Sequence, residues 1–380
     1  MQPKYGGIST VVPSLVHALN AQEVDTSVDA FCAPGEEFRP SGLDPNGIHF
    51  WPISRVGWLR DAAVRTRFAT EVRHCDGVHI HGLWDVTSAA ASRAALQWHK
   101  PYVLSCHGML EPWALHHGKL KKRIYSALIE RDVVRKARCL HALTQAEAIQ
   151  CRDFGGTNTP AVVIPNGVSV PDELSPELFL SRYPELRGRR IVLFLARLHV
   201  KKGIDLLVRA WGDVVAKAPD AVLVVAGPDA DGFGAALQED AASRGVQDSI
   251  AFTGMLSGEN KWSAIAAAEC MVLPSHSEGL SMSVLEAMGA GVPVLVTPQC
   301  NMPWVPQIGA GWLMEPATGA ISDALIEILS RGKQANAATG AVGREFIRQN
   351  YSWSSVAERI AEVYRWCLGD NEPTLSEVVR

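Results

Sequence analysis

The stretch SHSEGLSMSVLEAMGAGVPVLVT, residues 275–297, follows the apolar run Cys270–Pro274 and ends in a second one, Pro293–Thr297. Two short apolar runs with an amphipathic segment between them read as strand, helix, strand in a parallel sheet. Glycine and serine open the helix, so unpaired backbone N–H groups and the positive end of the helix dipole face outward there. Such an end is suited to an anion, and to a diphosphate in particular. Glu278 stands in the loop before the helix and Glu286 about two turns further on. That spacing lets one carboxylate meet sugar hydroxyls while the other meets ribose hydroxyls. The plainer alternative is a pair of helix-start and surface charges.

The same alternation runs outward in both directions. Gly77–His81, Tyr102–Ser105, Cys139–Leu143 and Ala161–Ile164 read as buried strands in the first half. Ile191–Ala196, Ala221–Ala226 and Ile250–Thr253 do so in the second, ahead of the two already named. Continuous apolarity marks strands covered by helices on both faces. Between the sets, 165–190 is dense in proline and glycine (Pro165, Gly167, Pro171, Pro184, Gly188), which reads as a hinge. The expectation is α/β architecture with two Rossmann-like, doubly wound parallel-sheet domains. They comprise an N-terminal domain over 1–167, a linker over 168–188, and a C-terminal domain over 189–350. Residues 351–380 form a helix crossing back toward the first domain, with Val356, Ile360, Val363 and Tyr364 on one stripe, and a frayed tail from Asn371. The chain opens on loop composition (Pro3, Lys4, Tyr5, Gly6, Gly7), where a doubly wound domain normally begins with a strand. The first domain therefore reads as lacking its first strand, either because the native start lies upstream or because its sheet is one strand short.

Composition narrows the class. A chain of 380 residues implies more than one domain, and 47% hydrophobic with 20% charged residues is ordinary for filled cores. A formal charge of −4 gives no reason to expect nucleic acid as a partner. The eight cysteines are scattered with no C-x-x-C pair, which suits reduced thiols in a cytoplasmic protein. No apolar run approaches the roughly 18 residues of a membrane span.

The 275–297 segment resembles the E-x7-E signature of retaining glycosyltransferases with the GT-B fold, glycosyltransferase family 4 (group 1). Their usual form is E-G-F-G-x-x-x-x-E-A-x-A-x-G-x-P-V. Leu280 and Ser281 replace the Phe-Gly, while Glu278, Gly279, Glu286, Ala287, Gly291, Pro293 and Val294 match. A second stretch, Ala196-Arg197-Leu198 through Lys202-Gly203 to Leu207, is similar to the family's G-R-L-x-x-x-K-G-x-x-x-L, with Ala196 for the usual glycine. The resemblance implies the GT-B fold, two Rossmann-like domains facing a central cleft. Glu278 is then expected on the donor sugar, Glu286 on the ribose, and the amides of Gly279, Leu280, Ser281 and Met282 on the diphosphate. Arg197 and Lys202 clamp the same diphosphate. Gly227 resembles the family's strand-end turn beside the nucleotide, and Met255 its stretch bordering the base.

In the first half, Gly6 and Gly7 resemble the family's N-terminal glycine loop near the donor phosphate and acceptor. His107, just past a strand, corresponds to the histidine that lies against the donor sugar. His81 is expected to line the acceptor cleft. Pro165-Asn166-Gly167-Val168 resembles the linker entry, where a sharp turn is expected. Lys119–Arg138 carries eight basic residues against Glu130 and Asp132, and Leu120, Ile124 and Leu128 recur at every fourth position. It reads as an amphipathic helix whose basic face is either simply solvated or meets anionic lipid, or a lipid-diphosphate acceptor, at the inner face of the plasma membrane.

The family implies transfer of a sugar, with retention, from a nucleotide-diphosphate sugar to an acceptor hydroxyl on a sugar or lipid-linked sugar. It implies no cofactor or metal, and a place in bacterial surface-polysaccharide or glycolipid assembly. Three other readings share the architecture: a sugar-nucleotide epimerase, an α-glucan phosphorylase, and a non-catalytic nucleotide-sugar binder.

Overall fold

The computed structural model describes residues 8–32, 47–52, 62–84, 86–111, 129–369 and 378–379. The chain divides into two compact units, Met1–Gly167 with Tyr351–Arg380, and Val168–Asn350. In chain order the strands begin with Val28–Cys32 (β1), Ile48–Pro52 (β2), Val78–His81 (β3), Tyr102–Ser105 (β4), Cys139–Ala142 (β5) and Ala161–Val163 (β6). They continue with Arg190–Leu195 (β7), Ala221–Ala226 (β8), Ile250–Gly254 (β9), Cys270–Leu273 (β10), Val294–Val296 (β11), Gly311–Leu313 (β12) and Val378–Val379 (β13).

In the second unit, β12, β11, β10, β7, β8 and β9 lie in that order, all parallel. Strands β8 and β10 are buried at every residue, as their uniform apolarity requires. The helix Ile204–Lys217 buries Leu207, Val208, Trp211 and Val214, the stripe that spacings of three and four residues generate. Residues 168–188, expected as a linker, belong to this unit. A short helix there, Glu177–Arg182, buries Phe179, whose backbone N–H donates to Ser263 Oγ at 2.9 Å. Proline and glycine end local structure in this stretch, but one large aromatic is enough to fold it onto a neighbouring helix.

The first unit holds β13, β6, β5, β4 and β3 in one sheet, with β13 antiparallel to β6. Strands β1 and β2 form a separate parallel pair. The tail expected to fray thus places Val378 and Val379 in the sheet, opposite Val162 and Ala161. Strands β1, β2, β12 and β13 escaped the sequence reading because they are short or interrupted by polar residues. Gly167, expected at a sharp turn, differs from that expectation. It has no positive φ, and what requires glycine there is the Trp353 ring, 2.4 Å from where a Cβ would stand.

The helix Trp353–Leu368 is locked onto this sheet by a buried polar chain. His81, Ser105 and His141 sit side by side on β3, β4 and β5, with His79 one pleat away. His141 Nε2–H donates to the Ile164 carbonyl at 2.7 Å, and an acceptor at that end fixes every proton after it. Ser105 O–H then donates to His141 Nδ1 (2.6 Å), His79 Nε2–H donates to Ser105 Oγ (2.7 Å), and Tyr364 O–H donates to His79 Nδ1 (2.6 Å). Each neutral imidazole spends its one proton. Burial holds His79 well below its ordinary pKa and His141 down at about 4.

Two stability predictions follow from this packing. Below about pH 6.5 the unfolded chain protonates these imidazoles while the folded chain holds them neutral, so stability is full above that pH and is lost as pH falls below it. Urea unfolding should show a decline of about 1.4 kcal/mol per pH unit for each such histidine between pH 6.5 and 5, and a flat profile would contradict the assignment. Separately, Gly203 has φ +67°, and a Cβ there would lie 2.0 Å from the Pro274 carbonyl oxygen. Gly245 has φ +70° with nothing within 4 Å. Gly203→Ala should cost more than about 2 kcal/mol in denaturant unfolding, and Gly245→Ala only about 1 kcal/mol, the left-handed penalty alone.

Candidate functional site

In a parallel sheet, ligands meet the loops that leave the C-terminal strand ends. The sheet order of the second unit sets four such loops in a row, after β10, β7, β8 and β9. Glu278 follows β10, Arg197 and Lys202 follow β7, Gly227 ends β8, and Met255 follows β9. The residues that the sequence reading singled out in this half therefore gather on one edge.

The loops after β7 and β10 are stitched together. Gly203 abuts Pro274, His276 N–H donates to the Lys201 carbonyl at 2.8 Å, and Ser275 O–H donates to the same carbonyl at 3.0 Å. This seating carries Lys202 to Glu278, with Nζ 2.6 and 2.7 Å from the two carboxylate oxygens. The pair is largely withdrawn from water, its side chains 15% and 8% exposed. Removing either partner of such a pair leaves a charge without compensation. Two of the three donors of the ammonium face Glu278. Lys202 and Glu278, read separately as phosphate clamp and sugar contact, are thus one unit in this structure.

The backbone around Glu278 is equally tied. Its N–H donates to the Gln299 carbonyl at 3.0 Å, and its carbonyl accepts from Asn301 Nδ2 at 2.5 Å. Asn301 sits in the left-handed region at φ 58°. Beyond the loop, the helix Met282–Gly289 begins at Ser281, whose side chain makes no capping bond. Its first turn therefore has no side-chain cap, a helix end of the kind suited to an anion. Glu286 lies on this helix and accepts from Lys261 Nζ at 2.8 Å. Lys261, from the helix Gly258–Ala267, and Asn301 were missed by the sequence reading, because their partners are distant in the chain and no motif marks them.

Arg197 is exposed at the end of β7, with no ion pair among the described residues. Its loop is seated by Gly227, where a Cβ would fall 1.8 Å from the Ala196 carbonyl oxygen. Met255 is 58% exposed. Gly6 and Gly7 lie outside the described residues. So do residues 119–128 of the basic segment 119–138. Of that expected helix, Arg131–Arg135 is helical, with an exposed Lys136–Asp132 pair at 3.0 Å.

In the first unit, His81 and His107 come together, with Nδ1 and Nε2 2.9 Å apart and their rings stacked. His81 also stacks on His79 at 4.1 Å between centroids. His107 occupies the left-handed region at φ 52°, rare for a residue with a side chain. Burial lowers both pKa values, that of His107 to about 3, so the pair is neutral and shares one proton along its bond. The sequence reading gave the two histidines separate tasks, and the structure joins them.

The comparisons with known proteins agree with this layout. The model of the glycosyl transferases group 1 matches residues 181–344, and that of the glycosyl transferase 4-like domain matches residues 6–167. The D-inositol 3-phosphate glycosyltransferase of Nocardia farcinica is 25% identical over 95% of this chain and 76% of its own length. A GDP-mannose-dependent monoacylated alpha-(1-6)-phosphatidylinositol monomannoside mannosyltransferase from Corynebacterium glutamicum is 30% identical over 44% of this chain and 45% of its own. Among solved structures, Anabaena HepE in complex with UDP and glucose superposes with a TM-score of 0.74 at 16% identity, covering 96% of this chain and 98% of that one. The fold is GT-B, and the chain belongs to glycosyltransferase family 4, the glycosyl transferases group 1.

Proposed function

We propose that this glycosyltransferase uses a nucleoside-diphosphate sugar and transfers the sugar with retention to an acceptor hydroxyl. The observation that carries this reading is the Lys202–Glu278 pair set beside an uncapped helix start, with exposed Arg197 on the same sheet edge. A carboxylate that is nearly dehydrated yet compensated is a fixed acceptor for sugar hydroxyls. Lys202, Arg197 and the amides of Gly279, Leu280, Ser281 and Met282 supply positive potential to the diphosphate. Glu286 takes the ribose, with Lys261 neutralising it near an anionic ligand. The UDP and glucose held by HepE support a donor of this class.

The reaction breaks the bond between the anomeric carbon and the phosphate oxygen, and the electron pair leaves with the diphosphate. The acceptor oxygen forms the new bond on the same face, and its proton passes to the departing phosphate oxygen. Catalysis then consists of stabilising the leaving charge and the oxocarbenium-like centre. His107, held neutral, is assigned to the donor sugar, and His81 to the acceptor. No metal is required in this scheme. The acceptor class is a hydroxyl of a cyclitol, sugar or lipid-linked sugar, in keeping with what the Nocardia and Corynebacterium enzymes are named for, and bacterial surface-glycan assembly is the setting. Contact with a lipid-linked acceptor is assigned to the basic segment 119–138; no described helix is long and apolar enough to cross a membrane.

Glu278→Ala, Arg197→Ala and Lys202→Ala should each lower kcat/KM by about 100-fold or more. Arg197→Ala should keep the wild-type Tm because its side chain is exposed, whereas Lys202→Ala should lose about 3 kcal/mol of stability. Product NMR should show the donor's anomeric configuration, and activity should survive EDTA. An inverted product or wild-type turnover in all three variants would overturn the reading.

A further inference from the structure

Glu147 is the third residue of the helix Gln145–Gly155, whose N-cap Thr144 accepts its N–H at 3.2 Å. A glutamate three residues after a threonine N-cap ordinarily reaches back to the N-cap's own backbone N–H. Here it does not. One carboxylate oxygen accepts from Leu143 N–H at 2.7 Å, and the other crosses to the neighbouring loop and accepts from Gly108 N–H at 2.6 Å. The side chain is buried, at 2% exposure. Strands β4 and β5 are neighbours, so one carboxylate ties together the loops leaving two adjacent C-terminal strand ends.

The Gly108 N–H belongs to the peptide plane that His107 shares. His107 at φ 52° and Gly108 at φ 72° form a left-handed pair that the surroundings must impose. The ring of His107 is held by His81, and its outgoing peptide is held by Glu147. We infer that Glu147 is a positioning residue that fixes the conformation of His107, the residue assigned to the donor sugar, by clamping the Gly108 amide. The inference rests on the assignment of His107 proposed above. Two backbone donors need two acceptors, a condition met by the ionised carboxylate and not by an amide, whose NH2 group would face an N–H.

The test is a mutant cycle with a capping control. In Glu147→Gln, kcat should fall about 10- to 100-fold with donor KM little changed, the penalty of a small misplacement of a reacting group. Thr144→Ala removes the ordinary cap; it should lower Tm comparably and leave kcat within about twofold, since helix capping is a stability effect. Glu147→Gln should add nothing in a His107→Ala background. Equal kcat in Glu147→Gln and Thr144→Ala, or fully additive losses in the cycle, would overturn the clamp. Wild-type turnover of His107→Ala would instead overturn the assignment of His107. Where Glu147→Gln does not fold, Glu147→Asp, charged but too short to span both loops, enters the same cycle with the same expected and contrary results.

Discussion

A missing side chain decides the geometry of the second unit's site. Where the backbone of Gly203 crosses Pro274, a Cβ would stand 2.0 Å from the carbonyl oxygen, and the left-handed φ excludes most other residues besides. Because the two backbones touch there, the loop after β7 lies flat on the loop after β10. The ammonium of Lys202 then reaches the carboxylate of Glu278 without crossing solvent. Gly227 repeats the device one strand over, where the end of β8 presses on the Ala196 carbonyl and seats the loop that bears Arg197. The charged groups of this edge are placed by backbone contacts that glycine alone permits.

The two units solve different electrostatic problems. The second unit gathers charge and compensates it pairwise, Lys202 with Glu278 and Lys261 with Glu286, beside a helix start that favours anions. The first unit keeps its buried imidazoles neutral and gives each proton a single destination, from Tyr364 through His79, Ser105 and His141 to the Ile164 carbonyl. Neutral rings bring no competing positive charge to a face that the proposal assigns to sugar hydroxyls. The pair His81–His107 extends that logic to the loop ends.

How much of this was legible beforehand follows the range of the interactions. The buried strands of both sheets could be read from uniform apolarity, and the donor-side motifs could be read because a strand end, a loop and a helix start are contiguous in the chain. Residues on separate loops could be placed on one sheet edge but not paired: nothing local in Lys202 indicates that it spends two donors on a carboxylate 76 residues away. Lys261 and Asn301 carry no motif, and Glu147 carries only a capping-box pattern that points to a local bond; their roles arise when helices and loops distant in sequence are brought together. Gly167 shows the opposite error, in which a local turn rule was applied where an aromatic ring 186 residues further along makes the demand. The 168–188 stretch belongs to the second unit because Val168, Phe179 and Leu186 are buried, which outweighs its run of prolines and glycines.

The central claim is that the Arg197, Lys202 and Glu278 edge of the second unit holds a nucleoside diphosphate sugar. A thermal-shift titration of the whole chain against UDP-, GDP-, ADP- and dTDP-sugars tests it, since a ligand that binds only the folded state raises Tm with concentration. One nucleotide class should raise Tm in this way, and the shift should vanish in Arg197→Ala, whose exposed side chain contributes nothing else to the fold. No shift with any donor, or a shift unchanged in Arg197→Ala, would contradict the account.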